Sequence, residues 1–319
     1  DDSFPWRGLD SGDGQGIIQT MTENTYTLLE DRAMLTLSGE DSHAFLQGLI
    51  SNDVDKISEG RAIYAALLTA QGKYLHDFFV FKLDGSLVLD CEKARIDDLM
   101  RRLRMYRLRA KVTLDEVSDA FTAAALFGED AGAAFDLGTE AGTALPFAGG
   151  VIYVDPRLAA AGMRTMLPAA GARQALADVG FEDAGRAAYD DFRLRLGLPD
   201  GSRDMVVEKA LLLESGFEEL NGVDFEKGCY MGQELTARTK HRGLVKKRLM
   251  PVDIDGPLPA MGTPILCGGK EAGEMRSSHG ARGLALMRLE YLDKASGTGH
   301  DFTADGARLT PRKPGWAAF

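Results

Sequence analysis

The stretch "NGVDFEKGCYMGQELTARTKHRG", residues 221–243, sets one of the three cysteines of a 319-residue chain between a glycine and a tyrosine. Gly228 and Gly232 bracket Cys229, Tyr230 and Met231, so the backbone there can take positive φ or pass close to another group with no Cβ in the way. A thiol at such a turn is expected to be presented to solvent. Lys227 lies beside it, and Arg238 and Lys240 follow if "GQELTARTK" is helical. Cationic, partly exposed surroundings lower a cysteine from its usual ~8.5 by one or more units, so these residues are expected to favour the thiolate. That permits nucleophilic attack, redox exchange or soft-metal ligation. Gln233 and Glu234 are placed to hydrogen-bond around the thiol. Cys91 in "LVLDCEK" and Cys267 in "PILCGG" are expected to be buried as small hydrophobes.

This basic run sits in an acidic protein of formal net charge −11. Between Lys227 and Arg248 seven basic residues face Glu234 alone, a local charge of +6 that leaves −17 elsewhere. Nonspecific binding of the whole molecule to nucleic acid or anionic lipid is therefore disfavoured. The aromatic interleaving that single-strand binding uses is reduced to Tyr230. At 45% hydrophobic and 27% charged residues the composition is that of a globular chain, long enough for two or three domains. No window approaches the roughly 18 consecutive apolar residues that a membrane-spanning helix needs. The cysteines are far apart, with no C-x-x-C pair, which argues for a reducing compartment, taken to be the cytoplasm, and against disulfides or structural zinc. His241 has no orienting third group for a Cys–His pair, and His43 and His76 stand alone, without metal-ligand spacing.

Along the chain, residues 1–20 are acidic and glycine-rich, and are expected to be a leader, a cloning remnant or an upstream extension ahead of Met21. "SGEDSHAFLQGLI" predicts a helix capped by Ser38, with Phe45, Leu46, Leu49 and Ile50 as its apolar stripe. "AIYAALLT", "YLHDFFVFK" and "LVLDC" predict strands of a meander. Residues 93–109 predict a helix through Ile96, Leu99, Leu103 and Tyr106 whose arginines form a solvated face. Residues 118–180 read as a small α+β segment, and "FEDAGRAAYDDFRLRLGLP" as a helix stopped by Gly197 and Pro199. From residue 244 short strands divided by Gly and Pro predict a small barrel, with a loosely packed tail up to residue 319.

"KGCYMGQE", residues 227–234, resembles the signature of the YgfZ-type folate-binding proteins, relatives of the aminomethyltransferase of the glycine cleavage system whose mitochondrial counterparts act in maturation of [4Fe–4S] proteins. "NGVDFE", "LTARTKHRGLVKKRL", "FLQGLISNDV", "TAQGKYLHDFFVF" and "YRLRAKV" are similar to the same family, in order over roughly residues 26–290. The resemblance implies an α+β fold arranged as a three-lobed ring. Residues 21–117 and 181–243 would be the folate-type lobes, and 244–319 the small C-terminal β-barrel. It also implies a central cavity for tetrahydrofolate, with Arg32, Asp77 and Tyr189 at the matching positions. Lys227, Tyr230, Gln233, Glu234 and Arg238 of the basic strip would hold the ligand or its glutamate tail. Where the aminomethyltransferases carry a pterin-contacting glutamate in R-L-E-A-G, this chain has Arg195, which cannot accept hydrogen bonds. That departure favours the mitochondrial-type branch.

The function so implied is assembly or repair of [4Fe–4S] proteins, with folate as a cofactor and assembly proteins or client enzymes as partners. Cys229 would supply thiol chemistry or a transient iron ligand. A cluster needs about four cysteine ligands, so any cluster here would be shared. The alternative is a tetrahydrofolate-dependent aminomethyl or one-carbon transferase in which Asp77 moves a proton or stabilises a cation.

Overall fold

The computed structural model describes residues 24–128, 131–243, 245–292 and 301–319; the expectation for residues 1–20 and Met21 lies outside them. In chain order the regular elements begin with β1 (Thr25–Leu28), β2 (Arg32–Ser38), α1 (Ser42–Gln47), β3 (Ile63–Leu68), β4 (Tyr74–Leu83), β5 (Ser86–Glu92), α2 (Ile96–Arg107) and β6 (Thr113–Glu116). Next come β7 (Phe121–Phe127), β8 (Ala144–Phe147), β9 (Gly150–Val154), β10 (Met163–Pro168), α3 (Ala172–Asp178), β11 (Glu182–Asp183) and α4 (Gly185–Leu196). The chain ends with α5 (Gln233–His241), β12 (Lys247–Asp255), β13 (Pro264–Cys267), β14 (Lys270–His279), β15 (Arg282–Arg288), β16 (Phe302–Ala304) and β17 (Ala307–Pro311).

These strands build three sheets: a five-stranded sheet β3-β4-β5-β2-β6, a six-stranded sheet β11-β1-β7-β10-β9-β8, and a closed barrel β12-β15-β14-β13-β16-β17. β3 and β4 of the first sheet are buried on both faces and so read as near-continuous apolar runs. Leu75, Phe78 and Val80 pack with Leu46, Leu99 and Leu103 of α1 and α2. Phe79 and Phe81 face the other way, into a core shared with Ala125, Phe127 and Tyr153 of the second sheet. That second sheet is not made of residues 118–180 alone, because β1 pairs with both β7 and β11.

α4 joins the lobes, packing on β1 and on β12, β14 and β15 of the barrel. Its Arg193 is 1% exposed and donates to Asp190 (2.7 Å), Asp204 (2.9 Å) and Ser277 Oγ of β14 (2.9 Å).

Several local expectations need correction. Ser38 is the last residue of β2, and α1 starts only at Ser42, because the chain first makes a turn at Gly39, φ +107°. Tyr106 is 41% exposed, one of three large apolar residues that α2 and its exit leave in solvent with Met105 and Leu108. The tail is not loose. β16 and β17 close the barrel, and Trp316 Nε1 donates to Leu196 O at the end of α4 (2.7 Å).

His76 tests this packing. Its side chain is 3% exposed, and Nε2 lies 2.9 Å from Asp98 Oδ2 on α2. Burial, aided by Arg95 and against the pull of Asp98, lowers it from 6.5 to about 4. Between those values the unfolded chain binds more protons than the folded one, so stability is full above pH 6.5 and falls as the pH drops through 4. The loss is about 3 kcal/mol at 1.36 kcal/mol per unit. Urea unfolding of the wild type and His76→Gln at pH 7 and pH 4 should show a smaller acid loss in the variant by about that amount.

Candidate functional site

Strand alternation and one bulge decide which side chains meet at the centre. β3 and β4 slip register between Leu67 and Leu68, which pair with His76 and Tyr74 and leave Leu75 as the extra residue. A bulge reverses the alternation, so Tyr74 shares a face with Asp77 and Phe79. Its hydroxyl donates to Asp77 Oδ1 (2.6 Å), while Tyr64 OH donates to Oδ2 (2.8 Å). Asp77 is 5% exposed, and burial raises its pKa against the opposing pull of Arg32 and the two tyrosines.

Asp90 pairs directly opposite Phe79 in the sheet register and so points to the same side. Its carboxylate holds two arginines, Arg32 Nε at 2.6 Å and Arg164 Nη2 at 2.7 Å. Arg164 comes from β10 of the facing sheet. Arg157 follows β9 and is held by Asp155 (2.7 Å). The guanidiniums of Arg164, Arg157 and Arg32 lie 4.0, 5.0 and 5.7 Å from the Phe79 ring centre, cations against an aromatic face. Their paired carboxylates hold all three firmly charged, above the ordinary arginine range. Arg164 Nε is buried without a hydrogen-bond partner.

Arg32, Asp77, Phe79, Arg157, Arg164, Arg186, Tyr189 and Asp200 line a chamber of about 10 Å³, room for a single water molecule. Three residues expected at a pterin site, Arg32, Asp77 and Tyr189, are thus brought together. A drug-sized ligand needs roughly 300 Å³ or more, so no pterin fits the chamber in this conformation. Arg195 is not part of it: the residue is exposed, with its guanidinium 5.8 Å from the Phe192 ring. α4 turns Arg186 and Tyr189 inward, and Arg195 falls on its outer side.

The second site is the loop before α5. Cys229 is exposed, whereas Cys91 and Cys267 are buried. Gly232 has φ +82°, and a Cβ there would lie 2.4 Å from Thr69 O. Gly72 of the β3–β4 turn has φ +77° and would meet Gly232 O at 2.7 Å. The loop is thus docked glycine to glycine on the hairpin. Gly228, by contrast, has open space.

The expected electrostatics of the loop need correction. The Lys227 ammonium is taken up elsewhere; Nζ donates to Gln47 O (2.9 Å), Ile50 O (2.7 Å) and Asn52 O (2.6 Å), the carbonyls at and beyond the end of α1. Burial lowers it to about 8, while Asp53, Asp224 and Asp55 pull the other way. It acts as a cationic cap that ties the loop to the first lobe. Lys240 pairs with Glu218 (2.7 Å) and lies 3.8 Å from the Phe225 ring. Tyr230 is 8% exposed and belongs to the shared core, so it is not a stacking platform. Burial raises it to about 12. Gln233 Oε1 accepts from Tyr230 N–H (3.1 Å) and so braces the turn, while Glu234 and Arg238 are exposed on α5. Among the described residues no group of three or more His, Cys, Asp or Glu is placed to hold a metal ion.

Residues 28–147 match the GCVT N-terminal domain and residues 246–319 the C-terminal beta-barrel domain of CAF17. Over 291 residues the chain is 35% identical to the mitochondrial iron-sulfur cluster assembly factor IBA57 of Mus musculus, covering 83% of this chain and 77% of that protein. The chain belongs to the IBA57 family. IBA57 of Homo sapiens is 33% identical, with 90% of this chain and 84% of the human protein covered. The fold is that of aminomethyltransferase T of the glycine cleavage system from Bartonella henselae, with TM-score 0.74 at 16% identity over 93% of this chain and 87% of that one. These IBA57 relatives are named as mitochondrial, which overturns the cytoplasmic location expected from the scattered cysteines. The YgfZ label likewise gives way to IBA57. Scattered free cysteines report a reducing environment, and that does not single out one compartment. Among the described residues no helix is long and apolar enough to cross a membrane.

Sequence reasoning missed Arg157, Arg164, Arg186, Asp90 and Asp200. The signal available for Arg164 was a lone charge inside the apolar run "GMRTML", and for Arg157 the Asp-x-Arg of "VDPR".

Proposed function

We propose that the protein serves iron–sulfur cluster assembly, with Cys229 as a thiolate ligand to iron that a partner completes. The observation that carries this is the contrast among its cysteines: one exposed in the loop docked before α5, two buried. Membership of a family of assembly factors supports it. One thiolate is far short of the roughly four ligands of a cluster, so the remaining ligands come from an assembly protein, a client enzyme or a small thiol. The cluster is cargo here.

We further propose tetrahydrofolate as a ligand of an opened form of the central chamber. Tyr189 offers a ring face, Asp77 an acceptor for ring N–H groups, and Arg164 Nε an unused donor. Because the chamber is closed, no chemical step is assigned to folate. The one-carbon transferase alternative keeps Asp77 as its proton-handling group but leaves the presented thiol without a task.

In a strain lacking the protein, wild type should restore [4Fe–4S] enzyme activity. Cys229→Ala should leave it at the level of the empty strain, at least about tenfold lower. Cys229 is exposed, so this variant should melt within a degree or so of wild type. Full restoration by Cys229→Ala would remove the thiol from the mechanism.

A further inference from the structure

Arg186 stands where two spaces meet. It lines the 10 Å³ chamber and also an outer hollow of about 490 Å³, bounded by Thr27, Asp31, Arg173, Asp183, Asp190 and Arg203. Three segments hold it from different sides. Nη1 donates to Asp31 Oδ1 in the β1–β2 turn (2.6 Å), and Nη2 to Asp200 Oδ2 in the loop after α4 (2.6 Å). Nε lies 3.5 Å from Asp190 Oδ2 but makes no hydrogen bond. The guanidinium carbon is 5.8 Å from the Tyr189 ring centre, so the side chain covers the chamber's aromatic wall from outside. The arm to Asp31 is its weak one. Asp31 is 46% exposed, against 18% for Asp200, and exposed pairs contribute little.

We propose that Arg186 is the gate of the central chamber, and that a carboxylate on the entering ligand opens it by replacing Asp31 on the guanidinium. At Asp31 one carboxylate substitutes for another on the same fork, and the outward swing then also releases Nη2 from Asp200. Swinging Arg186 outward joins the two spaces and brings the outer hollow into contact with Phe79, Tyr189 and the unused Arg164 Nε. The gate therefore selects for pterins that carry an anionic tail over bare pterins. This selectivity rests on the folate reading above; the gate itself does not.

Two measurements separate them. The first is nitration of Tyr189 by tetranitromethane, mapped by mass spectrometry in the full-length protein without ligand. Tyr189 is 5% exposed and should react slowly in wild type, several-fold faster in Arg186→Ala, and to an intermediate degree in Asp31→Ala, which leaves the chamber wall intact. An unchanged rate in both variants overturns the gate. The second is stopped-flow association of tetrahydrofolate and of 6-methyltetrahydropterin, which has no carboxylate. Wild type should take up tetrahydrofolate about tenfold faster, and Arg186→Ala should bring the ratio to about one by speeding the pterin. A ratio that survives Arg186→Ala overturns the carboxylate exchange. Faster nitration with no binding of either compound to any variant would keep the gate and discard folate.

Discussion

Asp90→Ala is expected to lower stability by about 3–5 kcal/mol, the cost of leaving buried charges without their counter-ion. The carboxylate is 2% exposed and holds Arg32 and Arg164 together, themselves 6% and 4% exposed. Without it the two guanidiniums repel one another beside the Phe79 ring, in a space that admits about one water. Asp90 is held ionised below the ordinary carboxylate range, because Arg32 and Arg164 outweigh the burial that opposes them. Urea unfolding at pH 7 measures the loss. Replacing all three residues together, Arg32→Met, Asp90→Leu and Arg164→Met, should recover most of it, since well-packed apolar groups often substitute for buried ion pairs. A loss under about 1 kcal/mol for Asp90→Ala would mean that water or movement relieves the arginines, and the closed chamber would not describe the folded protein.

Gly232→Ala is expected to cost about 2–5 kcal/mol and to abolish restoration of cluster enzymes as fully as loss of the thiol. Positive φ disfavours a side chain by about 1–2 kcal/mol, and overpacking adds about 1–3. The atoms in the way are Thr69 O at 2.4 Å, Leu68 Cβ at 2.8 Å and the Gly72 Cα at 3.2 Å, none of which can rotate aside. The loop must lift off the β3–β4 hairpin, carrying Cys229 with it and straining the Lys227 cap. Gly228→Ala is the control, because its Cβ meets nothing within 4 Å. Equal behaviour of the two alanine variants in melting and in complementation would show that docking of the loop is irrelevant to the thiol's task.

What could be read from the sequence follows the range of the interactions involved. β3, β4 and β5 show in their apolar runs, and α2 and α4 in their periodicity and stops, because those signals are local. The three lobes and the gathering of Arg32, Asp77 and Tyr189 came from the signature around Cys229 and its relatives, not from spacing. Partnerships across the fold were invisible: Arg164 and Asp90 are 74 positions apart, and Arg186 and Asp31 are 155 apart. Lys227 shows a different limit. Adjacency to Cys229 in the chain suggested a charge next to the thiol, yet three carbonyls at and beyond the end of α1 claim the ammonium. Likewise both loop glycines looked equivalent, and only Gly232 is required by a close backbone approach.

The recruitment of β1 into the second sheet bears on the order in which a ribosome delivers the chain. β2 to β6 are contiguous, so the five-stranded sheet can close as soon as residue 116 has emerged. β1 is made before any of it, yet its first partner, β7, starts 93 positions after Leu28, and its second, β11, later still. At about 5–20 residues per second, Thr25–Leu28 waits roughly 5–20 seconds for its first neighbour. The first of the described strands is thus claimed only after the five-stranded sheet is complete. A nascent-chain chaperone would find its opening there, and not in the lobe that folds first.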